Sequence, residues 1–398
     1  MKPGIECDNR DVPATSPERV SDDLARLAHR GAEVTEFTRD AARILGRAVA
    51  FDGICMLTMD PATLLPTGEV VQNGLPPAAT ARMSEIELGG DDVNSFSGLV
   101  RSGRTAASLS EATRGDLDRS VRHRELRRPN GFGDELRAVL SDGHGAWGAL
   151  TLLRADDSAP FSAADVILIE SLAGELAEGV RRAILLRELT AGYDRAEDVP
   201  GIVLLAGDNA ISACDAAGDR WFAQLASVGA DAVLPPVVRA VANRARAIAT
   251  GGAATEGLAR ARVRTASGVW LVVRGSALVG DPDGRIALTF EPIRPNELAP
   301  LIADAYELTD RERAVTQLVA CGLPTDAIAR RLFLSPWTVQ DHLKSIFEKV
   351  GVSTRGELVA RLFFEHYAPR LAESSEPGDD GAWRSSGVPG GARRRAAQ

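Results

Sequence analysis

A chain of 398 residues, 44% hydrophobic and 25% charged, exceeds one ordinary core and has the balance of a soluble globular protein of two or three domains. No apolar run is long enough to span a bilayer, and Met1–Asp23 lack the apolar core of a signal peptide, so no membrane association and a cytoplasmic location are expected. The net charge of -9 argues against a uniformly nucleic-acid-binding chain, yet from Leu308 to Phe363 eight basic residues outnumber six acidic ones, leaving -11 on the remainder.

Residues 1–23 are polar and Pro-containing and are expected to be disordered. From Leu24 to Ala50, apolar residues at Val34, Phe37, Ala41, Ile44, Leu45 and Ala48 have helical spacing. A strand is predicted over Gly53–Met59, followed by turns at Asp60–Thr63 and Pro66–Gly68. Phe132–Leu140 and Gly145–Leu153 read as a strand pair around Asp142-Gly143-His144-Gly145. Ser162 with Asp165 forms a variant capping box opening a helix to about Leu189. Residues 24–190 thus form one α+β domain.

A second, smaller α+β domain is expected over 200–294. It has a strand at Gly201–Leu205, a helix over Pro235–Thr250, a hairpin of Ala261–Thr265 with Val269–Arg274, and a last strand at Ile286–Phe290. No repeat is evident in the residues. Cys7, Cys55, Cys214 and Cys321 are too scattered for a disulfide framework or zinc site. The run Arg122–Arg128 reads as a solvated loop or helix face.

An all-α module of four helices is expected over 304–367, followed by a disordered tail, 368–398. Thr309 and Glu312 make a capping box, and the first helix stops at Gly322. A short helix turns Ile328, Ala329 and Leu332 inward. Ser335 caps the third helix with Pro336 at its first position, and Val339, Leu343, Ile346 and Val350 form its buried stripe. Thr354 with Glu357 opens the fourth. The opposite face of the third helix presents Thr338, Gln340, Asp341, Lys344, Ser345 and Glu348, the arrangement that enters a major groove. Gln340 can pair with adenine, Lys344 with guanine and Asp341 with cytosine, while Thr338 suits a phosphate. Trp337 is expected to pack against the second helix.

The residues Leu308, Thr309, Arg311, Glu312, Ala320, Gly322, Ile328, Ala329, Leu332, Ser335, Thr338, Val339, His342, Ile346, Lys349, Gly351, Val352 and Arg355 stand at the spacing of the LuxR/FixJ-type helix-turn-helix family, which this stretch resembles. The resemblance implies a DNA-binding transcriptional regulator, not an enzyme. Its DNA-binding residues would be Ser335, Thr338, Val339, Gln340, Asp341, His342, Lys344 and Lys349, with Lys349 near phosphates. Pro324 and Ala327 depart from the family, which has Ser and Glu there as a further capping box.

Residues 28–187 resemble a GAF domain through Phe51–Cys55, Met59-Asp60-Pro61, Gly131–Leu136 and Trp147–Leu152. The 200–294 region resembles a PAS-like fold through its Gly201 strand, Trp221 and Gly268 hairpin. These resemblances imply a sensory region, a small-molecule effector and a homodimer on double-stranded DNA. Phe132, Glu135 and Trp147 are candidates for a GAF pocket, the two aromatics reading better as core. No cofactor or metal site is expected: His29, His123 and His144 are scattered, and no Gly-rich phosphate loop is present.

Overall fold

The computed structural model describes residues 16–89, 92–142, 145–185, 199–225, 234–251, 258–281, 283–293, 306 and 308–362. The expected disorder of 1–15 and of the tail, Cys7, and the helix continuation to Leu189 lie outside them. The chain divides into two compact units, Met1–Arg294 and Pro295–Gln398, each described by itself.

The first unit begins earlier than its sequence suggests. Pro17–Ala28 is a helix (α1), with Pro17 in its first turn, so 17–23 are ordered. Its buried Val20, Leu24 and Leu27 recur at helical spacing among charged residues. Val34–Leu45 is a separate helix (α2), not a continuation, because Gly31 takes a left-handed φ of 73° between them.

Five antiparallel strands follow: β1 Gly53–Met59, β2 Pro66–Gln72, β3 Ala106–Ser108, β4 Phe132–Ser141 and β5 Ala146–Ala155, in the order β2-β1-β5-β4-β3. β2 falls where turns were expected. Pro66 and Gly68 are turn signals in isolation, but Pro66 opens an edge strand, where a missing N–H is tolerated. The central strands are buried almost continuously because helices cover both faces. On one face lies α7 (Ala173–Leu185), against which α1 and α2 pack. A Cβ on Gly179 would strike the Phe37 ring, so glycine lets α2 approach. The Ser162–Asp165 box forms as expected, with reciprocal hydrogen bonds of 3.2 and 2.8 Å. It opens α6 (Ala163–Ser171), separated from α7 only by Leu172. Along the rest of the chain come α3 (Thr80–Gly89), α4 (Phe96–Ser102) and α5 (Leu109–Thr113).

The run Arg122–Arg128 is the largest departure from the sequence reading. Arg122 is wholly buried, and His123, Leu126 and Arg127 nearly so, within a π-helical turn over His123–Arg127. Arg122 donates from Nε to Glu135 (2.8 Å) and from Nη1 to Asp92 (2.7 Å), and its Nη2 also reaches Glu135 and the Val93 carbonyl. A buried charge is tolerable only when so partnered.

The second sheet comprises β6 Gly201–Leu205, β7 Ile211–Cys214, β8 Arg260–Arg264, β9 Trp270–Ala277 and β10 Ile286–Pro292, ordered β7-β6-β10-β9-β8. Counted from its own first strand, this is the same order as in the first sheet. The repeat lies in connectivity, not in residues. Helices α8 (Ala216–Leu225) and α9 (Pro236–Ala249) accompany it, α9 on β9 and α8 on β6. Its core includes Val203, Trp221, Val241, Leu271, Leu288 and Phe290, and it takes in Leu65 and Leu88 from the first α+β region. Arg262 clamps Asp60 (Nη2–Oδ1 2.6 Å), Arg239 meets Glu69 (2.9 Å) and Asn243 donates to Ser84 (3.1 Å). These contacts join the two expected domains into one compact unit.

Candidate nucleic-acid interface

The second unit holds, among its described residues, the helices α10 (Asp310–Ala320), α11 (Thr325–Leu332), α12 (Pro336–Val350) and α13 (Arg355–Leu362). Buried Val315, Val319, Ile328, Ala329, Val339, Leu343, Ile346, Val350 and Leu358 form their common core. The stripe of α12 is the one its spacing predicts, at i, i+4, i+7 and i+11. Gly322 and Gly351 end α10 and α12 with left-handed φ of 78° and 72°. Ser335 Oγ accepts from the Thr338 N–H (3.0 Å) and so fixes where α12 begins.

Glu312 does more than cap α10. Besides its box with Thr309 (2.8 and 3.3 Å), it accepts from Ser345 Oγ (2.6 Å) and Lys349 Nζ (2.7 Å), both on α12. Burial alone would raise its pKa, but the donors from Lys349, Ser345 and Thr309 outweigh it and hold the carboxyl at about 2. The presenting helix is therefore fixed to α10 by a charged hydrogen-bond cluster.

On the outward face, Gln340, Asp341, Lys344 and Glu348 are exposed, and Thr338, His342 and Ser345 are half-buried. Two expected contact residues point elsewhere. Val339 is fully buried, anchoring the helix, and has no surface for a base. Lys349 is held by Glu312, which competes with any phosphate. Ser335 spends its hydroxyl on the cap and on Thr338 Oγ1 (2.8 Å). Trp337, expected against the second helix, is 75% exposed, and Phe333 is 95% exposed.

Other basic side chains also serve the fold. Arg355 donates to the Leu323 carbonyl, Arg361 to Gly351 (3.0 Å) and Arg313 to Leu308 (2.7 Å). Arg311, Arg330, Arg331 and Lys344 are exposed and have no acceptor or ion-pair partner among the described residues. Arg330 and Arg331, in the last turn of α11, contribute to the local basic charge, and the sequence reading gives them no individual role. The adjacent pair Arg-Arg near a helix end was the available signal.

The departure at Pro324 and Ala327 leaves α11 without a side-chain cap. Thr325 does not replace it: its Oγ1 accepts instead from Gln340 Nε2 (3.4 Å). Restoring the box by Pro324→Ser with Ala327→Glu should add about 1 kcal/mol, or roughly 4–8 °C to the melting of a unit this small. Differential scanning calorimetry reads this, and an unchanged or lower melting temperature refutes it.

Among the described residues, no group of three or more His, Cys, Asp or Glu is placed to hold a metal ion. None of their helices is long and apolar enough to cross a membrane.

Residues 306–362 match the family described as bacterial regulatory proteins, luxR family. The chain is similar to the probable transcriptional regulatory protein NarL of Mycobacterium tuberculosis, 37% identical over 84 residues, covering 21% of this chain and 34% of NarL. It is also similar to the transcriptional regulatory protein DesR of Bacillus subtilis, 32% identical over 96 residues, covering 22% of this chain and 48% of DesR. The matched stretch is thus about a third to a half of those relatives' lengths. A solved GAF domain/HD domain protein from Geobacter sulfurreducens aligns with 42% of this chain and 98% of its own, at 18% identity and a TM-score of 0.27. With the caps, the buried stripe and the matched positions agreeing, residues 306–362 are a LuxR-family helix-turn-helix domain.

Proposed function

We propose that this chain is a sequence-specific regulator of transcription that binds double-stranded DNA through α12. The observation that carries this reading is the exposed face of Gln340, Asp341 and Lys344 on a helix braced from behind by Val339, Leu343 and Glu312. Lys344 and Gln340 read base edges, while Asp341 restricts the site to bases offering a donor. Arg311, Arg330 and Arg331 are the cations available for phosphates, rather than Lys349. The protein acts as a homodimer on paired half-sites, and its N-terminal unit, GAF-like then PAS-like, is the sensory part.

A gel shift on duplex from the protein's own upstream region, across a salt series, tests this. Lys344→Ala should narrow the preference for the best site over scrambled duplex by about 1–3 kcal/mol. Arg330→Ala with Arg331→Ala should weaken all duplexes alike and flatten the salt slope. Absence of binding to any duplex at low salt refutes the reading and leaves the exposed Phe333 and Trp337 as a surface for a protein partner.

A further inference from the structure

In the first unit, a cavity with an open mouth lies between the first sheet, α3, α4 and α9. Leu57, Val71, Met83, Leu88 and Phe96 make its apolar wall, while Arg127 and Arg137 bring guanidinium groups to it. Phe132, Glu135 and Trp147, the candidates from sequence, do not line it. Trp147 is in the core, and Glu135 is spent on Arg122 and Arg127.

Three arginines line this space, and two are committed. Arg137 gives Nη2 to Glu87 (2.7 Å) and Nη1 to the Asn94 carbonyl (3.0 Å), and stacks over the Phe96 ring at 3.6 Å. Arg239, from α9, gives Nη2 to Glu69 (2.9 Å) and Nη1 to the Leu234 carbonyl (3.1 Å). Arg127 differs. Only its Nε has an acceptor, Glu135 Oε2 at 3.1 Å, and that carboxylate is already gripped by two nitrogens of Arg122. The two terminal nitrogens of Arg127, with four N–H donors, find no acceptor among the described residues, although the residue is only 6% exposed. Donors that line a cavity and are not claimed by the fold are available to a ligand, and a planar guanidinium edge matches the two oxygens of a carboxylate. Arg127 also ends the π-helical turn, a distortion that recurs at functional sites.

We propose that this cavity is a binding site for a small organic carboxylate, its two oxygens taken by the terminal nitrogens of Arg127 and its apolar body lying against Met83, Leu88 and Phe96. The site binds and does no covalent chemistry with its thiol, since burial, then Glu69, pushes Cys55 up to about 11 and keeps it protonated. Because Pro236, Arg239 and Ala240 of α9 form one wall, an occupant touches both α+β regions at once. The ligand thereby gives chemical content to the sensory role proposed above, but its binding is measured without DNA.

The test is isothermal titration calorimetry on the full chain with straight-chain carboxylates from acetate to octanoate, benzoate and phenylacetate. Matched primary alcohols and amines are the controls. At least one carboxylate should bind one per chain, at least tenfold more tightly than its alcohol and amine. Arg127→Gln should erase that preference, with folding checked by circular dichroism. Met83→Trp, which fills the cavity and leaves the arginine cluster intact, should abolish binding. If no carboxylate binds, or if the alcohol binds as well, or if both variants bind unchanged, the proposal is wrong. A chain that binds carboxylate but no duplex keeps this site and loses the regulatory reading, and the converse result does the opposite.

Discussion

Arg122→Met should destabilise the N-terminal unit by about 3–5 kcal/mol at neutral pH, the cost of leaving buried carboxylates without their cation. Arg122 has no exposed surface, and its removal strands Asp92 and Glu135, both nearly as buried. Methionine keeps most of the volume, so the loss comes from charge and not from a cavity. In the native protein, Glu135 is held far below the usual carboxylate range: burial pushes it up, but Arg122, Arg127 and Arg137 pull it down further. Its stabilising contribution is therefore full above the unfolded pKa and fades only as pH falls well below it. In the variant the balance tips toward burial, and the carboxyl prefers its proton. The difference between variant and native should thus shrink as pH drops from 7 toward 4. Urea unfolding at several pH values measures this, and a deficit below 1 kcal/mol at pH 7 would show that Arg127 alone can hold Glu135.

Glu312→Gln should cost the C-terminal unit roughly 2–3 kcal/mol near neutral pH. The carboxylate serves donors from Thr309, Ser345 and Lys349, and an amide has one acceptor oxygen and presents an NH2 group to the rest. The sign is set by the depressed pKa. Glu312 stabilises fully above about 4.5 and loses its contribution as pH falls toward about 2. Melting curves of native and variant should therefore converge on acidification, while at pH 7 the variant melts lower. DNA affinity should fall with it, because α12 loses its tie to α10, although Glu312 does not belong to the reading face. A variant with unchanged stability but lost DNA binding would instead place Glu312 at the interface itself.

Most of the helix-turn-helix module was legible because its signals are local. Caps lie within three residues of their partners, and the α12 stripe repeats over a single helix. What escaped depended on partners distant in sequence. Lys349 looks like a free cation until Glu312, 37 residues away, is brought beside it. The run Arg122–Arg128 looks solvated because its counter-ions, Asp92 and Glu135, lie 30 and 13 residues off. β2 was misread because Pro66 and Gly68 signal a turn to any local rule, and only the sheet order reveals an edge strand. α1 is hidden in the sequence because charges interrupt its apolar residues, whose burial depends on α7, far along the chain.

The shared core also fixes where this protein can be cut. A boundary drawn through the polar stretch between the two α+β regions would leave Leu65 and Leu88 facing water, and would strip Asp60 and Glu69 of the arginines that balance them. The piece suited to excision, grafting onto another DNA-binding end, or recombinant expression is therefore the whole span through β10. Half of it would be a fragment with an open wound, however natural the linker looks.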